Sequence, residues 1–279
     1  MPRRVGESSA GDAPRSPLAD GQPVQRRNPE RGANQQQRTS THTRKNETRI
    51  GSGSDHTVFL NHLGRPVVGL EFTGDYGVYH SMYDDHYWME HFGDPGFKYH
   101  TLMAQLWGVL ALRLANADVL PFDFGVYAAR IRGFIRDLEK ANKSGGKLDL
   151  RPLQRRTVEF QDAGRALRHE IEKHLAQNRL GAKDKAALNR AAMQVERNWL
   201  HPDGIPGRPW FKHTLYAARY TYAHLELPGL TEAVEAGNWK LAREQVRILD
   251  AALEKNTKLL RAARAELERE THAVETKVK

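Results

Sequence analysis

The C-terminal part of the chain carries a hydrophobic seam that leaves little choice of fold. From Trp239 the positions Ala242, Val246, Leu249, Leu253, Asn256, Leu260, Ala263 and Leu267 follow one another in steps alternating between three and four. This is a heptad stripe on one helix, expected over about 238–270, with Asn256 its one polar interruption. At about 1.5 Å of rise per residue the stripe is on the order of 50 Å long. An apolar stripe of that length must lie against other helices, in this chain or in a partner.

Further helical periods precede it. One helix is expected over about 97–117, apolar on most faces through Leu102, Met103, Leu106, Trp107, Val109, Leu110, Leu112 and Leu114; it reads as the buried centre of a bundle. A second, over about 124–142, repeats Tyr127, Ile131, Phe134, Ile135 and Leu138 at three-to-four spacing. A third enters through Pro152, where a missing N–H costs nothing, and runs toward Gly181. A fourth covers about 183–200. Between it and the seam lies an irregular stretch, His201 to Pro228, rich in Pro, Gly and aromatics. The fold class is therefore mostly α, built on a helical bundle.

The first half reads differently. Residues 1–49 contain no aromatic residue and few aliphatic ones, so they cannot bury enough apolar surface to offset chain entropy, and a disordered basic tail is expected. Residues 1–50 hold ten Lys and Arg against five Asp and Glu, more than half of the net +9. Dispersed charge without aromatics for base stacking makes nucleic acid the weakest of the candidate partners. The chain has no cysteine, which excludes disulfides and thiolate metal sites. The apolar run from Leu102 to Leu114 is too short to span a bilayer and is cut by Arg113. Met1-Pro2-Arg3-Arg4 begins no apolar secretion signal, and the compartment is not legible.

Gly51-Ser52-Gly53-Ser54-Asp55 makes a small-residue turn in which Ser54 or Asp55 can cap a short helix through Val58, Phe59, Leu60 and Leu63. Pro66 to Phe72 is the most strand-like run. Just beyond it stands Tyr79-His80-Ser81, an imidazole between tyrosines and near acids, which suits a metal ligand; the plainer reading is a histidine hydrogen-bonded in a loop. Residues 80–91 hold three histidines and three acids. On a helix, however, His86 and His91 are about 140° apart and cannot share an ion. His169-Glu170-Ile171-Glu172-Lys173-His174 is one residue too long for the H-E-x-x-H zinc motif.

Taken in order, the Gly-Ser-Gly-Ser-Asp turn, Tyr79-His80-Ser81, Asp94-Pro95-Gly96-Phe97-Lys98-Tyr99-His100, Leu120-Pro121-Phe122-Asp123 and Arg208-Pro209-Trp210-Phe211-Lys212-His213 resemble the C-terminal third of glutamate carboxypeptidase II-like proteins. These belong to the M28 zinc peptidase family and carry a transferrin-receptor-like dimerisation domain. The resemblance runs from about Ile50 to about Leu267. It implies a remnant of an α/β peptidase domain at 50–95 and a helical dimerisation domain at 96–270, between the disordered tail expected at 1–49 and a disordered end expected at 271–279. It implies His80 as a zinc ligand, and Ser52, Gly53, Ser54, Tyr79 and Tyr222 as substrate contacts.

The resemblance also implies what is missing. In the family the remaining ligands and the general-base glutamate come from sequence upstream of the turn. Zinc is thus expected in the full-length family and not as a stably bound cofactor of this chain alone. Where the family has specificity arginines and a lysine, this chain has Gly69, Glu71 and Thr221, so no preference for acidic substrates is expected. The expectation is a C-terminal fragment of a zinc exopeptidase, inactive alone, forming a homodimer through its C-terminal helices, with a peptide as the parent's substrate. The alternative is a non-catalytic homodimerisation module resembling the lower half of the transferrin receptor. Family members are often secreted or membrane-anchored.

Overall fold

A computed structural model describes residues 53–72, 74, 76–142 and 145–277, with side chains to 269. The tail expected at 1–49 and the candidate Ser52 lie outside the described residues. Six helices carry the architecture: α1 (Lys98–Ala115), α2 (Phe124–Ala141), α3 (Arg151–Ala176), α4 (Ala182–Arg197), α5 (Pro228–Glu235) and α6 (Trp239–Lys277). A two-stranded antiparallel hairpin, β1 (Tyr216–Ala218) and β2 (His224–Glu226), pairs Ala217 with Leu225. The bundle expected from periodicity is present, and the fold is mostly α. The hairpin is an addition inside the stretch expected to be irregular, and α5 follows directly at its end.

Helix α3 is the central plank, packing on α2 along one side and on α6 along the other, with α4 and α5 also against α6. The seam of α6 is covered as its pattern requires: Ala242, Leu249, Leu253, Leu260 and Leu267 are all buried. Its polar interruption has a physical account. Asn256 is fully buried, accepts a hydrogen bond from Asn198 Nδ2 at 2.7 Å and donates Nδ2–H to the Val195 carbonyl at 3.2 Å, so it pins α6 to the end of α4. At the centre, Phe160 and Trp199 meet edge to face at 6.1 Å, and Tyr127 closes the group at 6.4 and 6.2 Å from them. Arg156 on α3 pairs with Asp250 on α6 at 3.2 Å.

The Tyr127 hydroxyl donates to both oxygens of Glu196, at 3.3 and 3.2 Å. Burial, with the Glu196 charge beside it, pushes the Tyr127 phenol well above its usual range. Glu196 also accepts from His213 Nε2–H at 2.8 Å, while His213 Nδ1 takes the Leu215 N–H at 3.3 Å. The Asn61 carbonyl in turn receives the backbone N–H groups of Lys212 and His213, at 2.7 and 3.2 Å. The 201–215 stretch thereby fastens the segment around Asn61 to the bundle.

Several expectations are overturned. Helix α1 is not the buried centre of the bundle: none of its residues is buried, and Leu102, Leu106, Trp107, Val109 and Leu112 are exposed. The periodicity established that the helix is apolar, but no neighbour among the described residues covers it. Pro66 to Phe72 forms no strand, because it has no strand to pair with among the described residues; Val68, Leu70 and Phe72 stand exposed. Ser54 and Asp55 do not cap the next helical turn either. That turn, Val58–His62, starts from Thr57 without a side-chain cap, and Leu63 N–H closes it on the Val58 carbonyl at 3.2 Å. Gly64 ends it at φ 59°, where a side chain would be strained and a Cβ would meet Arg197 Cα at 2.9 Å. Helix α6 continues past the expected stop near 270 to Lys277.

Asp94 starts α1. Its carboxylate accepts from the Tyr99 and His100 N–H groups at 3.1 and 2.9 Å and from the His100 ring at 2.7 Å. Desolvation opposes ionisation, but these hydrogen bonds outweigh it and hold the carboxyl at about 2, against 3.8 ordinarily.

Two predictions follow from this layout. Ile135→Ala, at a side chain 0% exposed, should cost about 2–5 kcal/mol in urea denaturation, whereas Leu112→Lys, at 65% exposed, should change stability by no more than about 0.5 kcal/mol. Because the folded-state value of Asp94 is depressed, its contribution to the α1 cap is complete above 3.8 and is lost as pH falls toward about 2. Amide exchange at Tyr99 and His100 should quicken across that window, and in Asp94→Asn it should be fast throughout.

Candidate functional site

His80 sits in the left-handed region at φ 59°, a conformation uncommon for a residue with a side chain. Asp84 Oδ2 takes its backbone N–H at 3.3 Å, and the Ser81 N–H bonds back to the Val78 carbonyl at 2.9 Å, so a tight turn holds it. The imidazole stacks on the ring of Tyr79, with centroids 4.0 Å apart and planes 17° from parallel. Across the chain, the Tyr222 hydroxyl lies 3.3 Å from His80 Nδ1 and 3.1 Å from the Tyr79 hydroxyl. The three rings form a closed polar and aromatic corner at the surface.

The hydrogen bond with Tyr222 raises the Tyr79 phenol above its ordinary 10.0, with desolvation adding to the effect. Tyr222 belongs to the turn between β1 and β2, and the same turn receives the glycine loop. A Cβ on Gly53 would meet the Thr221 carbonyl oxygen at 1.9 Å, so only glycine fits there. Ser54 lies next to Gly53, exposed, with its N–H on the Thr57 hydroxyl at 3.3 Å. Gly53, Tyr79, His80 and Tyr222 thus converge through the hairpin turn. Asp84, which positions His80, was not singled out from sequence; its only signal was its place four residues on.

The zinc implied by the resemblance can be tested on the donor set. Among the described residues no three His, Cys, Asp or Glu side chains gather to hold a metal ion. His80 contributes one imidazole, and a stable zinc site takes three or four protein ligands. The described residues therefore do not fit a resident zinc ion at His80, and no catalytic step is derived through one. The other histidine groups are structural: His91 Nδ1 bonds to the Tyr87 carbonyl at 2.8 Å, and buried His174 bonds through Nδ1 to the Glu170 carbonyl at 2.8 Å.

Removing the hydroxyl that bridges the corner has a readable consequence. In Tyr222→Phe, the phenol of Tyr79 should return toward 10.0 in a spectrophotometric titration, while the melting temperature stays near that of the parent chain.

The model of the transferrin receptor-like dimerisation domain matches residues 148–261, which take in α3, α4, the hairpin, α5 and most of α6. The probable glutamate carboxypeptidase LAMP1 of Arabidopsis thaliana is 38% identical over 188 residues, 66% of this chain and 27% of that protein. The aminopeptidase NAALADL1 of Rattus norvegicus is 28% identical over 74% of this chain and 30% of its own length. An inactive zinc metalloprotease of Schizosaccharomyces pombe is 27% identical over 72% of this chain and 27% of that protein. The chain thus spans between a quarter and a third of the length of these relatives. Residues 148–261 are a transferrin receptor-like dimerisation domain, in a chain whose relatives are glutamate carboxypeptidase-like proteins and aminopeptidases.

Proposed function

We propose that this chain is the subunit-pairing C-terminal portion of a zinc exopeptidase, one that removes a terminal residue from a peptide, and that the chain alone does not hydrolyse peptides. The observation that carries this reading is the corner of Tyr79, His80 and Tyr222, held against a dimerisation domain with a single candidate ligand in place. In this reading His80 is the one zinc ligand supplied from here. Tyr79, Tyr222, Gly53 and Ser54 contact the peptide, together with Ser52, which lies outside the described residues, and zinc needs ligands from outside this chain.

The division into a peptidase-domain remnant at 50–95 and a helical domain at 96–270 belongs to the same reading, as does the homodimer through the C-terminal helices. The division is supported by the distribution of exposed apolar side chains, and the homodimer by the match of residues 148–261 to a dimerisation domain. Val58, Phe59, Val68, Leu70, Phe72, Leu102, Leu106 and Val109 stand exposed, while no large hydrophobic side chain described on α6 does. A bare strand-like run beside a bare apolar helix is what remains of an α/β layer without its sheet. Gly69, Glu71 and Thr221 leave no cation at the positions where the resemblance would put one, so an acidic substrate preference is not part of the proposal. No described helix is long and apolar enough to cross a membrane.

A second reading, a purely structural homodimerisation module, is favoured by the single-ligand donor set and by the relative named an inactive zinc metalloprotease. One preparation tests both. The purified 279-residue chain should sediment as a dimer and leave a panel of dipeptides intact with zinc present. Zinc-dependent cleavage would overturn the inactivity, and a monomer at micromolar concentration would overturn the pairing role.

A further inference from the structure

Residues 66–72 have the alternation of a strand and no strand beside them. Val68, Leu70 and Phe72, at alternate positions, are 40–50% exposed, whereas Val67 packs against the core. The run is held at both ends. Before it, the Arg65 N–H bonds to the Phe59 carbonyl at 2.8 Å; at its far end the ring of Phe72 meets Tyr99, at the start of α1, with centroids 5.3 Å apart. Between those anchors no backbone N–H or carbonyl from Pro66 to Phe72 is hydrogen-bonded among the described residues. A row of backbone groups left in this way is a template on which another chain can pair.

The residues say which chain fits. When two copies of the run are laid antiparallel about Val68, Arg65 of each faces Glu71 of the other, Pro66 faces Leu70, Val67 faces Gly69, and Val68 meets its own counterpart. Arg65 and Glu71 are exposed, and neither has an ion-pair partner among the described residues. Opposite charges across a ladder stabilise it and like charges oppose it, so the antiparallel register is favoured over a parallel one, which would set Arg65 on Arg65 and Glu71 on Glu71. Pro66 has no N–H to give, a loss that a strand at a sheet edge tolerates. We propose that residues 66–72 are a homotypic docking strand, through which two copies of this chain pair antiparallel about a two-fold axis at Val68, with the Arg65 and Glu71 charges fixing the register. The ribbon is not free-standing, because Val67 of each copy rests on its own core. A ladder this short makes a small and transient interface. It adds to the pairing proposed for the C-terminal helices, and it rests neither on that pairing nor on the peptidase reading.

The chain has no cysteine, so a single one reports the pairing directly. Residues opposed in an antiparallel pair have Cα atoms about 4.5–5.5 Å apart, within reach of a disulfide. Under mild oxidation of the full chain, Val68→Cys should give a covalent dimer on a non-reducing gel about tenfold faster than Met82→Cys at equal concentration. Met82, 95% exposed, sets the rate of chance collision. Added to Val68→Cys, either Arg65→Glu or Glu71→Arg should slow the cross-link about threefold or more, and the two together should restore it. Cross-linking at Val68 no faster than at Met82 would overturn the proposal and leave the run to the sheet edge of some other polypeptide. So would a rate that single charge reversal does not move, or that the double reversal does not restore. All four positions are exposed, so the substituted chains keep the fold. A sedimenting dimer without the Val68 cross-link sinks this inference and leaves the helical pairing standing; a cross-link in a chain that sediments as a monomer at micromolar concentration does the reverse.

Discussion

The carboxylate of Glu196 holds together three parts of the molecule that periodic packing alone would leave unconnected. It sits at the end of α4, takes the hydroxyl of Tyr127 from α2 and the Nε2–H of His213 from the loop beyond. A carboxylate this enclosed is tolerable only because its oxygens are occupied by donors. His213 is fully buried, and its backbone N–H reaches the Asn61 carbonyl. Through that chain of hydrogen bonds the helical bundle fixes the short helical turn after Gly53. His62 adds to the fastening, stacking on Trp210 at 5.2 Å.

The candidate corner inherits its geometry from this joint. The turn between β1 and β2 supplies Tyr222 and the Thr221 carbonyl, and its strands are anchored in the core by Tyr216, Ala217 and Leu225. A surface cluster of three aromatic rings would ordinarily be loose. Here its far partner is mounted on a buried hairpin, which is why His80 and Tyr222, 142 residues apart, can share a hydrogen bond. The dimerisation domain is thus also the scaffold of the corner and not a mere appendage to it.

The two halves differ in how completely they satisfy their own apolar surface. In the bundle the stripes of α2, α3 and α6 face one another, and the core is continuous from Phe124 to Leu267. In the part before it, the exposed side chains of α1 and of the run to Phe72 remain without cover among the described residues. Apolar patches of that extent on a folded protein mark contact surfaces.

Much of this was legible in the residues themselves. The alternating steps from Trp239 to Leu267, the three-to-four spacing of Ile131, Ile135 and Leu138, and Pro152 at a helix start located the beginnings of α6, α2 and α3 to within a position. Such patterns report which face of a local element is apolar, a property that each segment carries alone. They do not report whether a partner exists to cover that face, which is why α1 stands exposed where its pattern predicts core and the Pro66 to Phe72 run forms no strand. Nor could they bring Gly53 to Thr221 or His80 to Tyr222. Those meetings depend on the hairpin and the Glu196 joint, where contacts between residues more than a hundred positions apart are set by the closing of the chain on itself.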